Sequence, residues 1–460
     1  MKTKHNNRIL NLVVLVALVI LTAPMAGMHA AAQTLPIEAL LNSDGTINAS
    51  TGASGAFNLR GWNVTLDSKR GPLLTRGDTP AAWSALAHNG LNSRVNALAV
   101  IGSDLYVGGG FSGTADGKVT NLNNIAKYSG GAWSALAHNG LDREVWTLAV
   151  IGTDLYAGGD FFQTADGKMN MGEIAKYSTL TNTWSAFPDA LLANSSDSVY
   201  ALAVMGNDLY VGGLFCGTTD NVTLNLCNIA RYSGGAWSAL ANNGLSWTVR
   251  TLAVSGSDLY AGGDFIRTAD HTITNLNYIA KYSGGAWLAL PHTGLNWTVR
   301  ALAVSGSDLY VGGDFTQTGD GKVTNLYDIA KLSNGAWSAF AHNGLGGGSL
   351  GATAFAVNGS DLYVGGDFTR TADSAVTTLN GIAKYSGGEW SALANNGIDT
   401  TGGNYVKAFA VIGSGLYIGG DFYKAADGTV DMKRVAKCNI VNCGVIAMPG
   451  FANYLPLVIK

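Results

Sequence analysis

The chain has 460 residues, of which 47% are hydrophobic and only 13% charged, with 62 Gly, 18 Tyr, 11 Trp and 8 Pro. That balance excludes a disordered chain, which would be charge-rich and poor in aromatics, and the glycines follow no triplet period, which excludes a collagen-like one. The formal charge of −3 offers no basic surface for nucleic acid.

Lys2, Lys4 and Arg8 precede an apolar run from Ile9 to Leu21 that only Asn11 interrupts, and Ala-Gly-Met-His-Ala-Ala-Ala comes next at 26–32. A basic start, a short apolar stretch and small residues read as an export signal over 1–32, cleaved near Ala32. The run of about 13 residues falls short of the roughly 20 that a membrane helix needs, so no membrane span is expected after cleavage. The mature chain, at about −6 once three basic residues leave, is expected outside the cell or on its surface, as a monomer. Residues 33–82 form a β-rich extension. Phe57–Leu66 alternates in part, Asp67–Gly77 is turn-rich, and a stretch of about 50 residues makes a marginal core of its own. It is expected to pack one or two strands against the body of the chain that begins at residue 83.

From residue 83 onward the chain repeats itself. The tryptophan of an Ala-Trp-Ser-Ala-Leu pattern recurs at Trp83, Trp133, Trp184, Trp237, Trp287, Trp337 and Trp390, and a Tyr-x-Gly-Gly-x-Phe pattern begins at Tyr106, Tyr156, Tyr210, Tyr260, Tyr310, Tyr363 and Tyr417. Each unit of about 50 residues holds four short runs separated by turn residues. In the first complete unit these are Val95–Val100, Leu105–Phe111, Asn124–Tyr128 and Ala132–Ala137, denoted strands A to D. A four-stranded unit cannot bury both its faces alone, whereas seven stacked radially cover one another, so the fold class is all-β, a seven-bladed β-propeller spanning 83–440. The chain opens on a D strand at Trp83 and closes on A, B and C strands without a final tryptophan. The N-terminal strand is therefore expected to complete the last blade and close the ring.

The Gly-Gly doublet ending strand B, followed by a strand-C tyrosine and a strand-D tryptophan, is similar to the kelch repeat. Tyr177 and Trp184 keep the kelch-like six intervening residues; Tyr128 and Trp133 are closer by two. The chain resembles secreted bacterial propellers of the kelch-like, galactose-oxidase-central-domain type. The resemblance implies a fold and not a chemistry, since no Cys, Tyr and His set matches a copper centre. Tyr-Leu-Pro-Leu-Val-Ile-Lys at 454–460, closing a tail over 441–460, also resembles an ending found on other secreted bacterial proteins.

Four cysteines form local pairs, Cys216 with Cys227 and Cys438 with Cys443, and two disulfides are expected in an oxidising compartment. From strand-A Val to strand-B Tyr the spacing is always 6, whereas from strand-D Trp to the next strand-A Val it is 17, 17, 20, 17, 17, 20 and 21. The D–A and B–C connections emerge on one face, and that face is the expected ligand face. Trp146, Trp247 and Trp297 fall in the D–A connections just before strand A, with Arg143, Arg250 and Arg300 beside them. Flat aromatics there can stack on sugar rings or fill a partner's pocket; the alternative is that they cover the blade ends.

His88, His138, His292 and His342 share one repeat position with Asp189, Asn242 and Asn395, which reads as a polar turn and not as metal ligation. Asp160, Asp264, Asp314, Asp367 and Asp421 come directly after the Gly-Gly, and Asp116, Asp166, Asp220, Asp270, Asp320, Asp373 and Asp427 lie in the B–C loops, as repeated loop organisers. No catalytic residue, metal or cofactor is assigned. Calcium between carboxylates such as Asp160 and Asp166 is the one cofactor alternative. The reading is a secreted module that binds a protein or glycan through the D–A/B–C face. A polysaccharide hydrolase or lyase would need unique acids in the central funnel, where the sequence offers repeated ones. A purely structural surface or matrix protein is the third reading.

Overall fold

The computed structural model describes residues 41–42, 44, 46, 55–58, 62–67, 71–76, 83–188, 198–218, 223–443 and 454–457. The export signal over 1–32, Asp189, Asp220 and most of the C-terminal tail lie outside the described residues. The chain divides into two compact units, one made of 1–78 with 449–460 and the other of 79–448. In the first, Trp62–Asp67 and Gly71–Arg76 form an antiparallel hairpin, and Gly55–Asn58 pairs antiparallel with Tyr454–Leu457.

The second unit is the seven-bladed β-propeller. Blade 1 runs through strand A at Val95–Ile101, B at Asp104–Gly109, C at Ile125–Ser129 and D at Ala132–Ala135. Strands A of blades 2 to 6 are Val145–Ile151, Ser198–Met205, Val249–Ser255, Val299–Ser305 and Ala352–Asn358. Blade 7 takes A from Val406–Ile412, B from Gly415–Gly420 and C from Val435–Asn439, and its D strand is Trp83–Ala85. The register Ala436↔Ala85, Lys437↔Ser84 and Cys438↔Trp83 is the closure that the repeat order predicts. Each blade is a four-stranded antiparallel sheet in order A-B-C-D, and each strand A packs against those of the two neighbouring blades, the seventh against the first. The A strands thus surround the axis, and residues such as Leu98 and Val100 are only half-buried. Strand A reads apolar on both faces in the sequence, yet its position beside the axis leaves it less covered than a two-sided core strand.

The Gly-Gly doublet makes room in two directions. A Cβ on Gly108 would stand 2.6 Å from Val145 Cγ1 of the next blade, and one on Gly109 would overlap the Arg94 carbonyl of its own blade. In blade 7 the first of these neighbours is Val95, so the same close approach seals blade 7 to blade 1. The tryptophans work from the outer strand. The indole Nε1 of each donates to a carbonyl of the preceding blade's D–A connection at 2.9–3.1 Å, from Trp133 to Ala87 O around to Trp83 to Ala394 O. All seven indoles are buried, each removing roughly 150–250 Å² from water.

Both disulfides form: Cys216–Cys227 within the B–C connection of blade 3, and Cys438–Cys443 between strand C of blade 7 and the short helix Ile440–Cys443. No helix among the described residues is long and apolar enough to cross a membrane.

Candidate functional site

The D–A and B–C connections meet along one end of the blades. Leu91 bridges Thr114, Leu141 bridges Thr164, Leu245 bridges Thr268, Leu295 bridges Thr318 and Ile398 bridges Ala425, while Leu345–Gly346 pairs with Arg370–Thr371. The repeated polar residues reinforce these bridges. His88, His138, His292 and His342 each place Nδ1 at 2.8–3.0 Å from a carboxylate, of Asp116, Asp166, Asp320 and Asp373 respectively. Asn242 and Asn395 donate at 3.0 Å to Asp270 and Asp427 from the same position. Residues that the sequence separates by 28–32 positions therefore form one device. The shared position has φ between +54° and +59°, a left-handed conformation that Asn and His tolerate better than most. The His138 hydrogen bond, with those of Thr164 and the Lys168 amide, holds the Asp166 carboxyl below the usual range. The Ala375 amide, with His342, brings Asp373 down to about 2. Asp160 bonds instead to Trp146 Nε1 at 2.8 Å and to Ser198, so Asp160 and Asp166 serve different partners. Among the described residues, no three His, Cys, Asp or Glu converge at metal-binding distance.

The six candidate binding residues sort into two rings, and not in the grouping that the sequence suggests. Trp146 is the second residue of strand A in blade 2, inside the strand and not in the connection before it. Its counterparts are Arg250 and Arg300, also second in their strands. Trp247 and Trp297 stand two residues before their strands, where blade 2 carries Arg143. The inner position is a β-bulge in every blade: Val95 pairs with Gly109 and Ala97 with Gly108, which leaves Asn96 as the extra residue. The same shift isolates Trp146, Tyr200, Arg250, Arg300, Thr353 and Lys407. A bulge re-aims its side chain, and here it does so on the innermost strand, at the loop end of the axis.

Around this inner ring the charges are matched. Arg250 bonds Asp264 at 2.9–3.0 Å and Arg300 forks onto Asp314 at 2.7 and 2.8 Å. Arg94 forks onto Glu144 at 2.6 and 2.9 Å, Asn96 donates to the same carboxylate at 2.8 Å, and Lys407 donates to Asn96 Oδ1 at 3.0 Å. Lys407 also lies 5.0 Å from the ring centroid of Tyr405 and 5.9 Å from that of Trp146. Burial lowers the Lys407 ammonium to about 8, against the opposing pull of Glu144. The residue before strand C forms a third variable set: Asn124, Glu173, Asn228, Tyr278, Asp328, Gly381 and Arg434. Burial, with the charges of Asp314 and Asp367, raises the Asp328 carboxyl to about 8. The outer ring is open: Trp247 is 59% and Trp297 56% exposed, Trp297 stacks on Tyr278 at 6.3 Å, and Arg143 lies 4.8 Å over Phe162.

Asn96, Tyr200, Thr353, Lys407, Asp328, Glu144 and Arg434 are absent from the sequence-derived set. Their signal was readable: they occupy columns that change from blade to blade beside columns that hardly change, such as Ala-Leu-Ala-Val in strand A and Ile-Ala-Lys-Tyr-Ser in strand C. The statement that acids are only repeated needs correction too, since Glu144 is the single acid in its column, and Glu173 and Asp328 share theirs with five residues that are not acids.

No protein-family model and no curated protein matches the chain. Among solved structures, the computationally designed Ika8 protein is similar over 77% of this chain and 98% of its own, at 15% identity and TM-score 0.43. The extracellular domain of BT4673 from B. thetaiotaomicron, described as a hybrid two-component system, is similar over 77% of this chain and 39% of its own, at 14% identity and TM-score 0.47. The WD40 β-propeller domain of Doa1 covers 76% of this chain and 93% of its own, at 11% identity and TM-score 0.41.

Proposed function

We propose that this chain is an exported binding module, a kelch-like propeller that recognises a glycan or a protein through its D–A/B–C face. One observation carries the reading. Seven blades repeat nearly the same strands, and the side chains that differ between them gather at the bulge of strand A, in the residues just before it and in the residue before strand C. A scaffold that only had to hold itself together would have no use for Trp, Tyr, Arg, Lys, Thr and Asn in one otherwise uniform column. Large aromatics and arginines at a concave polar end are the residue types that anchor ligands. The disulfides fit an oxidising compartment, and the basic-apolar start of the chain supports export.

The test is a screen of the exported protein against glycan and protein panels, repeated with the Trp247→Ala/Trp297→Ala double variant and with a chelator. Both indoles are exposed, so the variant keeps its fold, and loss of binding in it locates the ligand on this face. Binding that survives it, and survives Arg143→Ala and Trp146→Ala as well, removes these four residues from the binding site. Sensitivity to the chelator would bring calcium into the site. A polysaccharide hydrolase has one observation in its favour, a carboxyl at Asp328 that burial keeps protonated to about 8 with the carboxylate of Asp314 acting on it, a pairing suited to general acid work. Release of reducing sugar that Asp328→Asn abolishes would establish that reading.

A further inference from the structure

Two of the variable columns, the residues just before strand A and the residue before strand C, come together between blades 7 and 1. A cleft of about 620 Å³ opens there, walled by Arg94 before blade 1, by Asp399, Thr401 and Asn404 before blade 7, and by Tyr423 and Arg434 in the B–C connection of blade 7. Arg434 is its least ordinary member. It adopts φ +70° at a position that is left-handed in six blades, where blades 1 and 3 have Asn, blade 4 Tyr, blade 5 Asp and blade 6 Gly. Asn124 and Asn228 use that conformation to donate to the carbonyls of Leu141 and Leu245, a local return that an arginine does not make. A long side chain in a left-handed backbone costs of order 1 kcal/mol or more and persists where the surroundings hold it.

The surroundings of Arg434 are a ring and a carboxylate. Its guanidinium carbon lies 3.8 Å from the centroid of Tyr423, its Nη1 pairs with Asp421, and the residue is only 7% exposed. Tyr423 lines the cleft and is itself 48% exposed, with Arg434 over its ring. Across the cleft, Glu144 engages Nε and Nη2 of Arg94. That leaves Nη1 as the donor with no carboxylate partner among the described residues. Lys424 lies 3.6 Å from Asp399. Three cations and two carboxylates line the space, and with Glu144 on Arg94 each cation has a carboxylate partner, so the Nη1 of Arg94 is the donor left to receive an anionic group. Burial lowers the Arg434 guanidinium and the charge of Arg94 lowers it further, a mutual repulsion that an anion between them relieves.

We infer that this cleft binds a uronate: its carboxylate lies between Arg94 and Arg434, its pyranose ring against the exposed ring of Tyr423, and its hydroxyls toward Thr401, Asn404 and Asp399. Guanidinium recognition of a carboxylate and an aromatic face for a sugar ring are separate requirements, and the cleft meets both. A peptide carboxylate would use the first and leave the second idle. The inference rests on the ligand-binding reading of the D–A/B–C face and narrows it to acidic sugars.

The experiment is calorimetric titration of the full exported protein with oligomers of galacturonate, glucuronate and mannuronate. A neutral galactose oligomer of the same length and hexaglutamate are the controls. At least one uronate should bind at least tenfold more tightly than the neutral oligomer, and its affinity should fall as salt is raised. Arg94→Gln and Tyr423→Ala, both at exposed side chains, should each weaken it at least tenfold while the thermal midpoint stays within the range of the parent. Neutral and acidic sugars binding alike, either variant binding as the parent does, no uronate binding at all, or hexaglutamate matching the best uronate would each overturn the assignment. The wider reading is judged separately. It stands if any ligand in the panels depends on Trp247, Trp297, Arg143, Trp146, Arg94 or Tyr423, and falls if none does.

Discussion

The repeated His–Asp contacts locate where single side chains carry the loop face. A histidine in a left-handed turn has its Nδ1 directed at a carboxylate 28–31 residues on, and asparagine does the same work at Asn242 and Asn395. The two residue types share a short reach and a tolerance for φ near +58°, which alanine lacks. His138→Asn should therefore leave stability within about 0.5 kcal/mol of the parent, whereas His138→Ala should lose about 1–2 kcal/mol, from one charge-assisted hydrogen bond and a strained backbone. Urea midpoints at neutral pH separate the two. Equal losses would mean that neither the contact nor the left-handed preference that His and Asn share stabilises this position.

At the scale of the element, the three-residue strand Trp83–Ala85 stands out for how much depends on it. It supplies the fourth strand of blade 7, and its indole, fully buried, donates to Ala394 O of blade 6. Elsewhere the D strand arrives from its own blade, so the chain connection holds it in place; here only pairing and burial do. Trp83→Ala should cost about 3–5 kcal/mol through the cavity and the lost bond. It should also expose the amides of Val435–Asn439 to hydrogen exchange well before those of the equivalent strand Ile125–Ser129. Uniform loss of protection around the ring would show instead that the blades open as one body. The bulge in strand A is the other decisive element. One unpaired residue per blade sits beside constant neighbours, so its side chain is free to vary without disturbing the ladder that Ala97–Val100 and Leu105–Gly108 maintain.

For the molecule as a whole, the half-buried acid Asp328 sets a pH dependence of opposite sign to that of the exposed carboxylates. Its value is raised from an ordinary 3.8 to about 8, so between those limits the native state holds a proton that the unfolded chain releases. The stability it contributes is complete below about pH 4 and is lost as pH rises toward 8. Asp328→Asn should thus be more stable than the parent at pH 9, by a few kcal/mol at most, and no more stable at pH 4.5. Denaturant midpoints at the two pH values test this, and a difference that does not change with pH would place Asp328 in contact with water. Asp166 runs the other way: its lowered value makes its contribution present above about pH 4 and lost as the solution becomes more acid.

The sequence by itself determined the number of blades, the strand order, the strand that closes the ring and both cysteine pairings. Each of these is a matter of spacing along the chain: Trp, Gly-Gly and Tyr recur because every blade must solve the same packing problem against its neighbours. The doublet could be read as a turn signal, but its steric reasons, Val145 against Gly108 and the Arg94 carbonyl against Gly109, exist only between strands. The same limit governs the site. Trp146 and Trp297 look alike as tryptophans ahead of a strand, and a shift of three residues places one at the axial bulge and the other on an open loop. His138 and Asp166 look like two unrelated loop organisers until the D–A and B–C connections are brought together. Arg94 and Arg434, 340 residues apart, wall one cleft because the ring returns to its start. Contacts across a closed ring depend on where the chain ends up in space, and tertiary structure alone decided them.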